Sequence, residues 1–388
     1  MYLKTDLEKR EHIYIISVNA ISSIPLTRYI ADFYNGSHQV TIIDTYIKKA
    51  NSYFQNMKGL RIWPLIEYNE YDTYYKNIGK KTYKRYIKLL LRLICIIPKS
   101  KSIIYSSDYQ VMALVIILNK FWPKKHKIIY HQYEVIVENK LGKLSHFLYG
   151  IFSKNRNTID LFIFPEINRE DYFLKKNPVD NGKLFLFPNT CDVKKEKFSS
   201  KALNSIPIGN KVCLHVGAVG GINHYFEEYL EAIKQIELIN KKISFLFIGR
   251  FSDKIKEQLH NLKVSNLIIL PFVPHEELKE IYQNTDIGII LYKGPGINYE
   301  YCAPNKLYEF WSYGIPVFAH KLKGLIPLFI ETSQGRLIDF SNKEEIVNEL
   351  LNLSEIVNDT KELKEYFSRN FEVALFLKDL NKAIQELN

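Results

Sequence analysis

The sequence predicts an α/β protein built of two domains, each with a parallel sheet. Its 388 residues favour two domains, at about 150 residues per domain. Apolar runs rich in β-branched residues alternate with amphipathic helical stretches, as parallel sheets require. This alternation stops at a polar segment and then begins again. We therefore expect domains at 1–192 and 210–370, a linker at 193–209 and a C-terminal helix at 371–388.

In the first half, a buried strand is predicted at Ile13–Val18, followed by a helix at Leu26–Tyr34 and a strand at Val40–Asp44. No G-x-G-x-x-G follows the first strand, so the fingerprint of nicotinamide and flavin sites is missing. The other elements predicted here are strands at Ser102–Tyr105, Lys127–His131, Asp160–Phe164 and Leu184–Phe187, and helices at Tyr109–Phe121 and Leu144–Phe152.

The second half begins with a strand at Lys211–Val216, a glycine-rich loop and a helix at Tyr225–Ile239. Glycines in such a loop let the backbone approach a phosphate closely, although any tight strand–helix turn uses them too. The other elements predicted here are strands at Ser244–Ile248, Leu267–Leu270, Asp286–Leu291 and Gly335–Phe340, and helices at His275–Tyr282, Asn342–Leu353 and from about Glu362 to Leu387.

The segment Ala303–Ala319 predicts a short helix that turns directly into a strand. Asn305 is expected to cap the helix, and Gly314 to end it. A helix start favours phosphate, and Lys306 in the first turn adds a positive charge. Glu309, one turn on, can accept hydrogen bonds from a sugar diol. This order suits a nucleotide diphosphate; the alternative is an ordinary amphipathic helix with a solvated Lys/Glu pair.

The run Pro304-Asn-Lys-Leu-Tyr-Glu…Gly314-Ile-Pro-Val resembles the nucleotide-sugar motif of family 4 glycosyltransferases of the GT-B fold. The resemblance implies two Rossmann-like domains with parallel sheets facing a central cleft, with the donor on the second domain and the acceptor on the first. It implies that Glu309 holds the donor ribose and that amides near Asn305 and Lys306 hold the diphosphate. It also implies that the last helix, 371–388, packs back on the first domain.

The chain departs from the family pattern at two cations and one carboxylate. The family usually has an arginine after the first loop glycine and a lysine before the helix, where this chain has Ala218 and Asn223. The position of the family's second glutamate is Tyr301, so the sugar contact is expected from Glu300, from Asn298 or from no carboxylate. The predicted donor-binding residues are Gly217, Gly220, Gly221, Arg250, Phe272, Val273, Glu300, Asn305, Lys306, Leu307 and Glu309.

The acceptor side is predicted at the end of the strand Lys127–His131. Ligands of open α/β sheets gather at the carboxyl ends of strands, and His131 and Glu134 follow there. They resemble the histidine and glutamate that face the acceptor in several family members. The predicted catalytic residues are therefore His131, Glu134 and Lys306; the alternative for His131 is an ordinary structural histidine.

A strongly basic stretch runs from Lys76 to Lys101. It holds nine Lys or Arg residues and no Asp or Glu, within a net charge of +11. Aromatic and aliphatic residues are interleaved with these cations, which suits an anionic membrane surface. Nucleic acid is the less favoured partner for such charge, and a core helix with a basic outer face is the other alternative. The predicted membrane or acceptor contacts are Lys80, Lys81, Lys84, Arg85, Lys88 and Arg92.

Other features exclude several classes. The four cysteines are scattered, so no zinc site or disulfide framework is predicted. No apolar run reaches the roughly 20 residues of a membrane span, and the charged N-terminal residues do not form a secretory signal. We expect a cytoplasmic enzyme, peripheral on the inner face of the membrane, that needs no metal or cofactor.

The predicted reaction moves a sugar from a UDP-sugar or GDP-sugar to a polysaccharide, oligosaccharide or lipid-linked acceptor, with retention at the anomeric carbon. Two alternatives stay open. One is a catalytically silent homologue that acts as a scaffold in a membrane-associated glycan pathway, which the residues Ala218 and Asn223 favour. The other is a nucleotide-sugar epimerase of the same fold, for which no paired carboxylates are visible.

Overall fold

The computed structural model describes residues 11–21, 24–48, 54, 57, 59–70, 73, 82–95, 101–123, 125–192, 209–271, 273, 275–356 and 360–387. The chain divides into two compact units. The first unit contains residues 1–187 together with 376–388, and the second contains residues 188–375. The predicted linker lies outside the described residues except for Gly209.

The first unit contains a seven-stranded parallel sheet in the order β3-β2-β1-β4-β5-β6-β7. Its strands are β1 (His12–Ile16), β2 (Gln39–Ile47), β3 (Arg61–Tyr68), β4 (Ser102–Ser106), β5 (Lys127–His131), β6 (Leu161–Phe164) and β7 (Leu184–Leu186). The helices that precede or connect them are α1 (Pro25–Asn35), α2 (Thr82–Cys95), α3 (Tyr109–Asn119), α4 (Lys143–Lys154) and α5 (Ile167–Lys176). The parallel sheet predicted for this half is confirmed, and β3 is an additional strand at its edge.

One hydrophobic core binds helices to this sheet. Side chains of β1, β4, β5 and β6 form a cluster with α3, which is apolar along most of its length. The strands are buried on nearly every residue because helices cover them, as parallel sheets require. The core therefore fixes where each strand ends, and so positions the loops at the carboxyl edge of the sheet.

The second unit contains a six-stranded parallel sheet in the order β10-β9-β8-β11-β12-β13. Its strands are β8 (Lys211–Val216), β9 (Ile243–Ile248), β10 (Leu267–Leu270), β11 (Ile287–Ile290), β12 (Val317–His320) and β13 (Gly335–Ile338). Its helices are α6 (Phe226–Ile239), α7 (Asp253–Asn261), α8 (His275–Gln283), α9 (Ile297–Glu300), α10 (Asn305–Ser312), α11 (Lys343–Leu351), α12 (Leu353–Ile356) and α13 (Thr360–Asn370), with α14 (Val373–Glu386) crossing to the first unit.

Each sheet reverses its strand order once. In the first unit the chain builds outward from β1 to β3 and then returns to place β4 on the other side of β1. In the second unit it builds from β8 to β10 and then places β11 on the other side of β8. Such a switch point opens a crevice at the carboxyl ends of the two strands, where ligands of α/β sheets bind.

Helix α10 begins and ends for identifiable reasons. Pro304 is its extended N-cap residue and no side chain caps it, so the prediction that Asn305 caps the helix is wrong: Asn305 is already the first helical residue. At the other end the amides of Gly314 and Ile315 donate to Trp311 and Phe310. This is a Schellman motif, and Gly314 adopts the left-handed φ of 73° that it requires.

Candidate functional site

The loop after β8 presents backbone amides at the switch point of the second unit. Gly217, Gly220 and Gly221 have φ values of 137°, 96° and 69°, which favour glycine strongly. Within the described part of the chain, the amides of Val219, Gly220 and Gly221 donate to no acceptor. A concave run of free amides in such a conformation is an anion-binding arrangement.

Across the switch point, the first turn of α10 holds a compact charged cluster of Lys306, Glu309 and Tyr282. The Tyr282 hydroxyl donates to Glu309 Oε2 over 2.7 Å, and Lys306 Nζ lies 2.5 Å from the same oxygen. Lys306 Nζ is also 3.4 Å from the Tyr282 oxygen. Glu309 is buried and its partner Lys306 is partly exposed, so the lysine is the member that meets solvent.

Tyr282 anchors this cluster from below. Burial, followed by the nearby Glu309 carboxylate, raises the pKa of Tyr282 well above its usual value, so the phenol stays protonated and keeps donating. From the sequence, Tyr282 is predicted only as part of the helix His275–Tyr282. Its helical spacing from Leu278 predicts burial, but no motif links it to Glu309, which lies 27 residues further along the chain.

A buried histidine, His215, lies close to the same site. His215, near the end of β8, donates from Nδ1 to the Ile289 carbonyl over 3.0 Å. Burial is the main cause that lowers its pKa to about 4, and the positive charge of Lys306 contributes to the same shift. His215 is therefore neutral near pH 7, with Nε2 unprotonated, and it lies within electrostatic reach of Lys306.

The other predicted donor-binding residues are placed less uniformly. Arg250 is exposed at the end of β9, beside Gly249, whose missing Cβ leaves room for the Gly217 carbonyl. Val273 is partly buried, and Phe272 lies outside the described residues. Glu300 ends α9 and forms a 2.6 Å ion pair with Lys323.

Asn305 and Leu307 differ in what they offer a ligand. Asn305 is exposed, and its amide and that of Lys306 donate to no acceptor in the described chain. The Leu307 side chain is fully buried in the core, and its amide already donates to the Pro304 carbonyl. The prediction that Leu307 binds the donor is therefore corrected, because neither group is available.

At the switch point of the first unit, a carboxylate holds the loop after β1. Asp108 Oδ2 accepts from the Ser17 hydroxyl and the Val18 amide, both over 2.7 Å. The Val18 carbonyl in turn accepts from Arg85, and the Ile21 amide donates to Asp44. Sequence patterns missed this network, because its partners meet only in the folded sheet.

His131 is fully buried at the end of β5. Its Nδ1 lies 2.7 Å from the Tyr105 hydroxyl, and a chain of hydroxyls continues through Tyr133 to Thr27. Burial lowers the pKa of His131 to about 3, so it is neutral and a weak base. Its ring has no accessible surface in this structure, whereas Glu134 is exposed nearby.

The predicted membrane contacts on helix α2 lie on different faces of the helix. Lys84, Lys88 and Arg92 are exposed, but Arg85 is buried and donates to the Val18 carbonyl. Arg85 is therefore corrected from a surface contact to a structural residue, because it lies on the inward face with Leu89 and Leu93. Exposed beside the cations are the apolar side chains of Ile87, Leu90, Leu91 and Ile94. Lys80 and Lys81 lie outside the described residues.

Among the described residues, no helix is both long and apolar enough to cross a membrane. No group of three or more His, Cys, Asp or Glu side chains there has an arrangement that could hold a metal ion.

Comparison with known proteins gives one family and many structures. Residues 198–370 match the family model described as glycosyl transferases group 1. HepE of Anabaena, solved with UDP and with UDP-glucose, superposes with a TM-score of 0.72 at 12% identity, covering 97% of this chain and 100% of its own. No curated protein matches this sequence.

Two further structures have the same architecture. The lipopolysaccharide outer core galactosyltransferase WaaB gives a TM-score of 0.65 at 13% identity and covers 96% of this chain and 99% of its own. Sucrose-phosphate synthase of Thermosynechococcus elongatus gives 0.66 at 13% identity, with 97% and 99% covered. With the two parallel sheets, these likenesses confirm the predicted GT-B fold.

Proposed function

We propose that this chain, which has the GT-B fold and whose residues 198–370 match the family model of group 1 glycosyl transferases, is a glycosyltransferase that moves a sugar from a UDP-sugar to a glycan or lipid-linked acceptor. The observation that carries the proposal is the Lys306–Glu309–Tyr282 cluster, which lies across the switch point from a loop of free amides. Uridine is favoured over guanosine because HepE was solved with UDP and UDP-glucose.

The site divides the donor between two sets of groups. Diphosphate oxygens would take the free amides of the glycine loop and of Asn305 and Lys306, where the helix dipole adds positive potential. Ribose hydroxyls would donate to Glu309. Lys306 and Glu309 already neutralise each other. When the donor binds, its diphosphate would take the place of Glu309 beside Lys306, and its ribose hydroxyls would take the place of Lys306 beside Glu309. Tyr282 would hold Glu309 in place during this exchange.

Leaving-group stabilisation is the chemical role that these groups can perform. Negative charge develops on the diphosphate as the glycosidic bond breaks, and fixed donors aimed at it lower the barrier. We assign this role to Lys306 and the adjacent amides, with Arg250 as a further cation, and propose that no metal is needed. The proposed stereochemical course is retention at the anomeric carbon.

Helix α2 supports an acceptor at an anionic membrane surface. Lys84, Lys88 and Arg92 share its outer face with exposed Ile87 and Leu91. Each cation close to an anionic surface contributes about 1 kcal/mol, and the apolar side chains can enter the interface. We propose that the protein works on the inner, cytoplasmic face of a membrane, where this helix brings it to a lipid-linked acceptor.

Calorimetric titration of the full chain with UDP and with GDP tests the proposal. We expect UDP to bind and Glu309→Gln to weaken binding by at least tenfold, because the ribose loses a charged acceptor. Glu231→Gln is the matched control, since Glu231 forms an i,i+3 pair with Lys234 on an exposed helix face. UDP binding that is unchanged in Glu309→Gln would contradict the assigned role.

A catalytically silent homologue is the second candidate. Ala218 and Asn223 replace the usual cations, and the cation that remains in the cluster, Lys306, is already paired. This candidate predicts that neither nucleotide binds. If UDP binds and turnover then requires an acceptor, the transferase stands; turnover without an acceptor would instead indicate an epimerase.

A further inference from the structure

A cavity lined largely by charged and polar residues lies at the opposite edge of the first sheet from the switch point. Its volume is about 310 Å³. Four of its lining residues immediately precede parallel strands: Glu11 before β1, Lys101 before β4, His126 before β5 and Asp160 before β6. The cavity is therefore at the amino edge of the sheet, and none of the donor or acceptor residues discussed above lines it.

Positive charge exceeds negative charge in this cavity. Lys101, Lys120, Lys125 and Lys127 line it, against the carboxylates of Glu11 and Asp160. Three of the four ammonium groups contact neutral oxygens instead of carboxylates. Lys120 donates to Asn155 Oδ1, Lys125 to the Asn119 carbonyl and Lys127 to the Ile384 carbonyl. These bonds position the lysines and cancel only part of their charge: Lys125 and Lys127 meet the partial negative charge of the last turns of α3 and α14, and Lys127 also interacts with the Asp160 carboxylate.

A buried histidine forms part of the wall of this cavity. His126 is 4% exposed and lines the cavity, with Nδ1 3.1 Å from the Ser102 hydroxyl. Its Nε2 is buried and has no hydrogen-bond partner among the described residues. Because this atom has no accessible surface, His126 forms part of the cavity wall and its Nε2 is not itself offered to a ligand there.

From these features we infer that this cavity is a second binding site, for a phosphate monoester of a small polyhydroxy compound. Lysines arranged as point charges suit a phosphate group. Glu11, Asp160 and Asn119 offer acceptors for hydroxyl groups, which a bare phosphate would leave unused. The volume is at the lower end of ligand sites and fits a phosphate with a sugar-sized body. The inference does not depend on the proposed sugar transfer.

Isothermal titration of the full chain with glucose 6-phosphate, inorganic phosphate and glucose tests the inference. We expect glucose 6-phosphate to bind more tightly than phosphate, and glucose not to bind. The double variant Lys101→Ala/Lys120→Ala should weaken glucose 6-phosphate binding by about tenfold, because two cations leave the cavity. The matched control is Lys154→Ala/Lys175→Ala, two exposed lysines of the same unit that do not line it.

The Lys306→Ala variant separates this site from the donor site. Glucose 6-phosphate should bind Lys306→Ala as it binds the wild type, whatever happens to UDP. Loss of binding in that variant would overturn the inference, because the phosphate would then occupy the donor site. Absence of binding to the wild type, an unchanged affinity in the lysine double variant, or equal affinity for glucose 6-phosphate and phosphate would overturn it too.

Discussion

The two switch points have the same topology and use their polar groups in opposite ways. In the first unit, the Val18 and Ile21 amides of the loop after β1 are already bound by Asp108 and Asp44. In the second unit, the loop after β8 leaves amides such as Gly220 without an acceptor in the described chain. At the first switch point the unit's own carboxylates accept from these loop amides, whereas at the second the loop amides have no acceptor in the described chain.

The glycine content of the loops explains this difference. The loop Asn19–Pro25 has no glycine. In its described part, the Ile21 amide is satisfied by a side-chain acceptor, the carboxylate of Asp44. The loop after β8 takes positive φ values at Gly217, Gly220 and Gly221, and the amides of Val219, Gly220 and Gly221 have no acceptor in the described chain. An anionic donor therefore suits the second unit, and the first is left for a partner that needs no phosphate cradle.

The largest expected effect is on chemistry in the second unit. Lys306→Ala should lower sugar transfer by about a hundredfold to a thousandfold, because a fixed cation at the leaving group is lost. Its thermal midpoint should fall moderately, because the buried Glu309 carboxylate loses its cation partner while it keeps the Tyr282 hydroxyl. Initial rates with the control Lys234→Ala, another i,i+3 lysine, should match the wild type. A fully active Lys306→Ala would break the comparison.

The corresponding variant at the switch point of the first unit is Asp108→Ala. It removes the acceptor of the Ser17 hydroxyl and the Val18 amide, so the free energy of unfolding should fall by about 2 kcal/mol. UDP affinity should stay unchanged. Denaturant titration measures the first quantity, and exposed Asp171→Ala is the control with little expected loss. An Asp108→Ala protein of full stability that cannot bind UDP would contradict the division of roles.

Acid should destabilise both units through buried histidines. Burial lowers the pKa of His131 to about 3 and of His215 to about 4, from the ordinary value of 6.5. The unfolded chain therefore binds more protons than the folded one between these values, and stability falls as pH drops below 6.5. Each histidine contributes about 1.4 kcal/mol per pH unit.

The measurement is the free energy of unfolding between about pH 6 and pH 4.5, for the wild type and His215→Gln. The pH slope should be shallower in His215→Gln by about one histidine's share. Comparing slopes removes the opposite contribution of Asp44, whose pKa burial raises to about 7 and which loses stability as pH rises toward that value. Equal slopes in the two proteins would show that His215 titrates normally.

The smallest expected effect comes from Gly220→Ala. At φ 96° an alanine is strained, and its Cβ would clash with Ile255 Cδ1. We expect a loss of about 1 kcal/mol of stability together with weaker UDP binding, because the loop amides shift. Gly150→Ala is the control: it lies in α4 with no atom within 4 Å of the new Cβ, and should stabilise by about 0.5–1 kcal/mol. In melting experiments, Gly220→Ala should therefore lower the thermal midpoint and Gly150→Ala should raise it.

Hydrophobic periodicity predicted most of the strands and helices. It failed where the place of a strand in the sheet decides which residues the strand tolerates. Strand β5 has the bounds predicted for it, because its apolar β-branched run is buried on both faces. Strand β3 was missed, because Pro64 and charged residues break its pattern. The sheet tolerates that pattern since β3 is an edge strand.

The candidate site was predictable only where its residues are close in sequence. Lys306 and Glu309 are one helical turn apart, so spacing alone places them together. Tyr282 and Asp108 join their partners across 27 and about 90 residues, which depends on strand order. Arg85 was assigned to the surface for a similar reason, since a run of cations does not show which face of α2 turns inward.

The path of the chain at its C-terminal end has a consequence for recombination. Residues 376–388 belong to the first unit, and Lys127 donates to the Ile384 carbonyl there. A single genetic crossover near residue 188 would therefore replace the second unit and also the terminal helix. The incoming terminal helix would then have to pack on a first unit from the other protein. Chimeras with new donor units should need two junctions, at about residues 188 and 375, to keep the native terminal helix.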